Sequence, residues 1–268
     1  VYKRQVEYSA RDGFTIPAYL TLPPTIDDAS NLNSLPFVVL PHGGPFARDS
    51  RRFDYFSQFF ATRGFAVLQM NFRGSAGYGK QFEDAGRENW VQMQHDVEDG
   101  TRWLIEEGFA DPERICIAGW SYGGYAALMG AIKDPELYAC ALSMAGVTDL
   151  KDLVRDMRQY VFGAAMARNS ILSGFDGKDD LLENSPVRRA REMTVPLLMA
   201  HGTRDQRVHF DQFRRMRSAL KKSSAETTFM VFKDEDHFLS NEANRFQFFE
   251  GIDAFLKSTV GESEFMKQ

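Results

Sequence analysis

Arg114-Ile115-Cys116-Ile117-Ala118-Gly119-Trp120-Ser121-Tyr122-Gly123-Gly124, running on through Tyr125 to Ala131, is the stretch that decides the fold. The apolar run Ile115 to Ala118 reads as a buried strand. The small residues after it read as a tight turn, and the alanine-rich segment beyond as a helix. Gly119-x-Ser121-x-Gly123 falls on the turn. A sharp strand-to-helix turn of this pattern lifts one serine above the edge of a sheet. Glycine is needed at 119 and 123 because the turn forces neighbouring backbone so close that a Cβ would clash. Ser121 itself is expected in strained φ/ψ. It lies beside the first N–H groups of the helix and the positive end of its dipole. Gly-x-Ser-x-Gly alone is a weak signal, but here strand, turn and helix all fall where the chemistry needs them.

Outward from this stretch, strands and helices alternate. Tyr2 to Ala10 and Phe14 to Leu22 flank Arg11-Asp12-Gly13, a hairpin signal, and are expected as an antiparallel edge. Residues 23–35 read as a loop. Phe37 to Leu40, Phe65 to Met70, Tyr138 to Met144, Val195 to Ala200 and Thr227 to Phe232 read as further strands. Helical spacing marks 52–63 through Phe53, Phe56, Phe59 and Phe60, and marks 90–107 and 210–222 as well. It also marks 242–257, with Phe246, Phe249, Ile252, Phe255 and Leu256 near one face. Residues 148–186 carry mixed charge without a strand pattern and are expected as small helices and loops over the site. Such alternation gives a mostly parallel sheet covered by helices on both faces. Ligands then sit beyond the carboxyl ends of the strands. Four loops rich in Gly, His and Asp follow strands: 41–45, 119–124, 201–207 and 234–237.

Bulk properties narrow the function. The 268 residues carry a net charge of -5, which offers no footprint for nucleic acid. No apolar run approaches the roughly 20 residues of a membrane span. Cys116 and Cys140 make no disulfide framework and read as free, buried thiols. No CxxC and no metal-spaced Cys/His cluster is present, so neither a metal nor a cofactor is expected. The chain begins at Val1, which reads as a fragment boundary.

A serine hydroxyl needs a base within hydrogen-bond reach, and the base needs a carboxylate to fix its tautomer. On α/β-hydrolase folds the order along the chain is Ser, then Asp or Glu, then His. Ser121, Asp205 and His237 follow it, the last two each just past an expected strand. Asp176, Asp179 and Asp180 are rival acids, but no strand precedes them. His209 shares a loop with Asp205, His95 falls mid-helix, and His42 and His201 read as structural residues at strand ends. The oxyanion needs two preorganised donors. The N–H of Tyr122 and the N–H of Gly44, in the His42-Gly43-Gly44 loop, are the candidates.

Four motifs together resemble the catalytic domain of the prolyl oligopeptidase family. They are Gly119-Trp120-Ser121-Tyr122-Gly123-Gly124-Tyr125, His42-Gly43-Gly44-Pro45, Asn71-Phe72-Arg73-Gly74-Ser75-x-Gly77-Tyr78-Gly79 and His201-Gly202-x-x-Asp205-x-Arg207-Val208. The chain looks most like the acylaminoacyl peptidases and dipeptidyl-peptidase-like enzymes. The resemblance implies an α/β-hydrolase fold and a serine peptidase that cleaves short peptides through an acyl-enzyme, with no cofactor. Arg207 matches the family arginine that holds a substrate carbonyl. Asp236 departs from the glycine usual before the catalytic histidine. Family members carry an N-terminal β-propeller, and nothing here reads as blades, so residues 1–268 are expected as a single catalytic domain. Self-association into a homo-oligomer stays open. Tyr160, Val161, Phe162 and Met166 are candidates to line an apolar pocket, with ordinary packing as the other reading. Two rival functions remain, a carboxylesterase with the same triad and a binding domain that only kept the fold.

Overall fold

The computed structural model describes residues 3–26 and 34–261. Tyr2 of the expected hairpin and residues 27–33 of the expected loop lie outside them. β1 (Lys3–Ser9) and β2 (Thr15–Thr21) pair antiparallel around a turn in which Gly13 takes φ 81°. Then come β3 (Leu35–Val39), α1 (Tyr55–Ala61), β4 (Ala66–Met70), α2 (Lys80–Arg87) and α3 (Trp90–Glu106). β5 (Ala110–Trp120) leads through the turn into α4 (Tyr122–Lys133), followed by β6 (Cys140–Met144). Four short helices come next: α5 (Leu150–Met157), α6 (Gly163–Ser170), α7 (Gly177–Glu183) and α8 (Pro186–Arg189). β7 (Leu197–Gly202), α9 (Phe210–Leu220), β8 (Thr227–Phe232) and α10 (Glu242–Val260) complete the order.

One eight-stranded sheet runs β1-β2-β4-β3-β5-β6-β7-β8. The six strands β3 to β8 pair in parallel, and β2 joins β4 antiparallel, as in an α/β-hydrolase. β3, β4, β6 and β7 are buried along their whole length, because helices cover both faces. On one face Val97, Leu104, Leu128, Leu137 and Phe213 fill the core. On the other Phe56, Phe60, Phe248 and Ile252 do so. α4 runs through the middle with ten buried residues, so the nucleophile turn is braced from behind.

Three expectations need correction. Cys116 and Cys140 are not free thiols: they form a disulfide, with Cα atoms 4.6 Å apart. They are register partners on adjacent strands β5 and β6, which sets their side chains against each other. Phe53 precedes α1 and is 80% exposed, because Asp54 caps the helix through the N–H groups of Phe56 and Ser57. On α10 Phe255, Ile252 and Leu256 are buried as expected and Phe248 joins them, while Phe246 faces out.

Candidate active site

The turn after β5 has the geometry its glycines imply. Ser121 sits at φ 59°, ψ -119°, a region that costs a non-glycine residue about 1–3 kcal/mol. Its N–H donates to the Met144 carbonyl at 2.9 Å, and its carbonyl accepts from the Tyr125 N–H at 3.0 Å. A Cβ on Gly119 would come within 2.2 Å of the Gly123 backbone. One on Gly123 would come within 2.1 Å of the Pro41 carbonyl. The second contact shows that the turn packs on the loop after β3. A Cβ on Gly43 would lie 3.6 Å from that of Ser121, so this loop lies directly against the serine.

That loop is held from below. His42 stacks on Phe72 at 4.3 Å, and its ring nitrogens meet the Gly43 carbonyl and the Ser75 hydroxyl, each at 2.8 Å. Burial lowers the His42 pKa to about 4, and the ring stays neutral. The Ser75 hydroxyl in turn donates to the Phe72 carbonyl at 2.7 Å. Arg73, between Phe72 and Ser75, is locked by Asp96 and Asp12, with Nη2 2.5 Å from the fully buried Asp96 carboxylate. The Asn71 to Gly79 motif is therefore a brace for the His42 loop.

Asp205 and His237 meet on loops after β7 and β8. His237 Nδ1–H donates to Asp205 Oδ2 at 2.6 Å, and both side chains are buried. Asp205 Oδ1 accepts from the N–H groups of Arg207 (2.8 Å) and Val208 (2.9 Å). His201 Nε2 lies 3.3 Å from Asp205 Oδ2 and donates to the Val208 carbonyl at 2.8 Å. Burial alone would raise the Asp205 pKa, but the hydrogen bonds from His201 and His237 outweigh it and hold the carboxyl well below its usual range. The acid thus stays ionised beside the imidazole. A Cβ on Gly202 would come within 2.4 Å of the Glu235 carbonyl, so that glycine lets the two loops approach. Trp120, immediately before the serine, donates its indole N–H to the His237 carbonyl at 2.7 Å.

Other sequence candidates take other places. Asp236 turns away from His237 and accepts from the Phe238 and Ser240 N–H groups and the Ser240 hydroxyl, which lowers its pKa. Its presence in place of glycine is thereby accommodated. His209 pairs with Asp156 at 3.3 Å, and Asp180 serves Asn184 and the Asp176 N–H. The exposed Arg207 guanidinium stands 4.9 Å from the ring of Phe238. No local sequence pattern marks Phe238. It is 55% exposed, packs edge-on against His237 and belongs to the rim of the site. The Tyr160 hydroxyl donates to the Gln206 carbonyl at 3.4 Å, which brings the α5–α6 connection to the Asp205 loop. Tyr160, Val161, Phe162 and Met166 are exposed rather than packed into the core of the described residues.

Residues 51–263 match the family model described as the prolyl oligopeptidase family. The chain belongs to the prolyl oligopeptidase family. It is 35% identical over 263 residues to dipeptidyl aminopeptidase BIII of Pseudoxanthomonas mexicana, covering 96% of this chain and 38% of that protein. It is 27% identical over 220 residues to the acylamino-acid-releasing enzyme of Rattus norvegicus, covering 77% and 29%. Among solved structures, a puromycin-hydrolyzing peptidase of Mycobacterium tuberculosis superposes with a TM-score of 0.86 at 27% identity, over 97% of this chain and 40% of that one. The chain thus spans about two fifths of the length of the dipeptidyl aminopeptidase and of the puromycin-hydrolyzing peptidase.

Proposed function

We propose that this chain is the catalytic part of a serine peptidase that cleaves short peptides. Ser121 is the nucleophile, His237 the general base and Asp205 the carboxylate that orients it. The observation that carries this reading is the 2.6 Å hydrogen bond from His237 Nδ1 to a buried, ionised Asp205. It fixes the tautomer whose Nε2 lone pair is free to take a proton. Ser121 Oγ attacks the peptide carbonyl carbon as its proton passes to His237 Nε2. The oxyanion is held by the N–H groups of Tyr122 and Gly44. Collapse expels the amine, protonated by His237, and leaves an acyl-Ser121 ester that water hydrolyses by the reverse proton path.

Arg207 holds a carbonyl of the substrate, its guanidinium set by the Phe238 ring. The exposed apolar group Tyr160, Val161, Phe162 and Met166 lines the side that receives apolar side chains. Two relatives are named as a dipeptidyl aminopeptidase and an acylamino-acid-releasing enzyme, and action near peptide N-termini is our reading for this chain. A β-propeller domain in a longer form would restrict substrate size.

Labelling with a fluorophosphonate, followed by peptide mapping, tests the nucleophile: Ser121 should be the modified residue. Asp205→Asn should fold yet lose activity by about 10⁴-fold. Peptide and p-nitrophenyl ester substrates assayed side by side decide between peptidase and carboxylesterase. Turnover of esters with none of any peptide would defeat the peptidase reading, and a folded chain that resists the label would indicate a binding domain.

A further inference from the structure

Away from the triad, α8, the turn at 190–192 and α9 enclose a cavity of about 480 Å³. Asp149, Arg188, Arg191, Arg215, Ser218 and Lys222 line it. The chain as a whole is acidic, at -5, yet residues 187–222 hold ten Lys and Arg against three Asp and Glu. Four of those ten cations converge on this one hollow.

The lone acid in the lining does not neutralise them. Asp149 is buried at the base, and its Oδ2 lies 3.8 Å from Arg188 and 3.9 Å from Arg215. Those separations exceed hydrogen-bond length. Arg215 turns one guanidinium nitrogen, Nη1, to Asp152 Oδ2 instead and keeps its others. Among the described residues no carboxylate lies within hydrogen-bond length of the Arg188 guanidinium. The side chains of Arg191 and Lys222 have no hydrogen bond or ion pair among the described residues. Two partly matched arginines beside two unmatched cations repel one another, and a bound anion removes that cost. The base of the hollow is rigid. Gln212 on α9 accepts from the N–H groups of Thr148 (2.9 Å) and Asp149 (2.7 Å), and donates to the Asp149 carbonyl at 3.0 Å.

We propose that this cavity binds a triphosphate group. Guanidinium forks match the spacing of phosphate oxygens, and the volume falls in the range of ordinary ligand sites. Arg188 and Arg215 grip one end while Arg191 and Lys222 close the rim. The bound group joins α8 to α9, the helix that follows the Asp205 loop.

Calorimetry with inorganic tripolyphosphate at about 0.15 M salt tests it, with melting temperature as a second readout. Wild-type protein should bind and melt higher. Arg191→Gln/Lys222→Gln should weaken binding by tenfold or more. Arg214→Gln/Arg217→Gln removes the same charge from residues outside the cavity and should stay within twofold. All four side chains are exposed, so folding should persist, as circular dichroism will confirm. Adenosine triphosphate should bind about as well as tripolyphosphate. Equal losses in the two double variants would overturn the site in favour of diffuse attraction. No binding at millimolar tripolyphosphate, or tight nucleotide binding with none of tripolyphosphate, would overturn it too.

Discussion

The indole N–H of Trp120 donates a 2.7 Å hydrogen bond to the main-chain carbonyl of His237. The residue before the nucleophile is thus tied to the residue that serves as base, although 117 positions separate them in sequence. Three strand spacings lie between the ends of β5 and β8. The loop after β8 must reach back across them, and this bond fastens it at the far end.

Replacing Trp120 by Phe keeps the ring contacts with Phe56 and Phe248 but leaves a carbonyl without its donor. A buried acceptor left unmet costs about 1–3 kcal/mol. We expect kcat to fall by about tenfold with KM within twofold, because only the base is displaced. Steady-state kinetics on one peptide substrate suffice, and an unchanged kcat would refute the role.

Ser121→Ala and Ser121→Gly should both be inactive, yet differ in stability. Alanine inherits the φ of 59°, whereas glycine adopts it freely. The glycine variant should be the more stable by about 1 kcal/mol, read from paired denaturant curves. Equal midpoints would mean that the turn stores no strain.

His42 supplies a pH dependence. Its folded pKa of about 4 lies below that of an exposed histidine, about 6.5. Folding therefore favours the neutral ring. Its contribution is complete above pH 6.5 or so and is lost as pH falls toward about 4, on the order of 3 kcal/mol in all. His42→Gln removes the titration. The stability difference between wild type and variant should shrink across that interval, and a constant difference would contradict the assignment.

The disulfide closes a loop of 24 residues, a constraint worth about 3 kcal/mol in the chain-entropy account. Cys116→Ala/Cys140→Ala should melt lower than wild type. Reductant added to folded protein should change little, since both sulfur-bearing residues are buried. Denatured, unreduced protein should take up no iodoacetamide. Two adducts on that sample would show free thiols.

The sequence exposes what local pattern controls. Gly119, Ser121 and Gly123 mark the turn, and the loops with Asp205 and His237 follow strands that alternation makes visible. Register is a long-range property, so Cys116 opposite Cys140 went unseen. Helix ends decide which aromatics face in, which hid the outward turn of Phe53 and Phe246. α2 carries few apolar residues and was lost in the glycine-rich stretch before it. The basic hollow joins Asp149, Arg191 and Lys222 from three segments, and only packing assembles them.

The Cys116–Cys140 ring encircles the nucleophile and all of α4, with Glu136 as an exposed point on its circumference. A protease that cuts there severs the backbone without releasing either piece. Nicked and intact protein would travel together on a non-reducing gel, and only a thiol would part them.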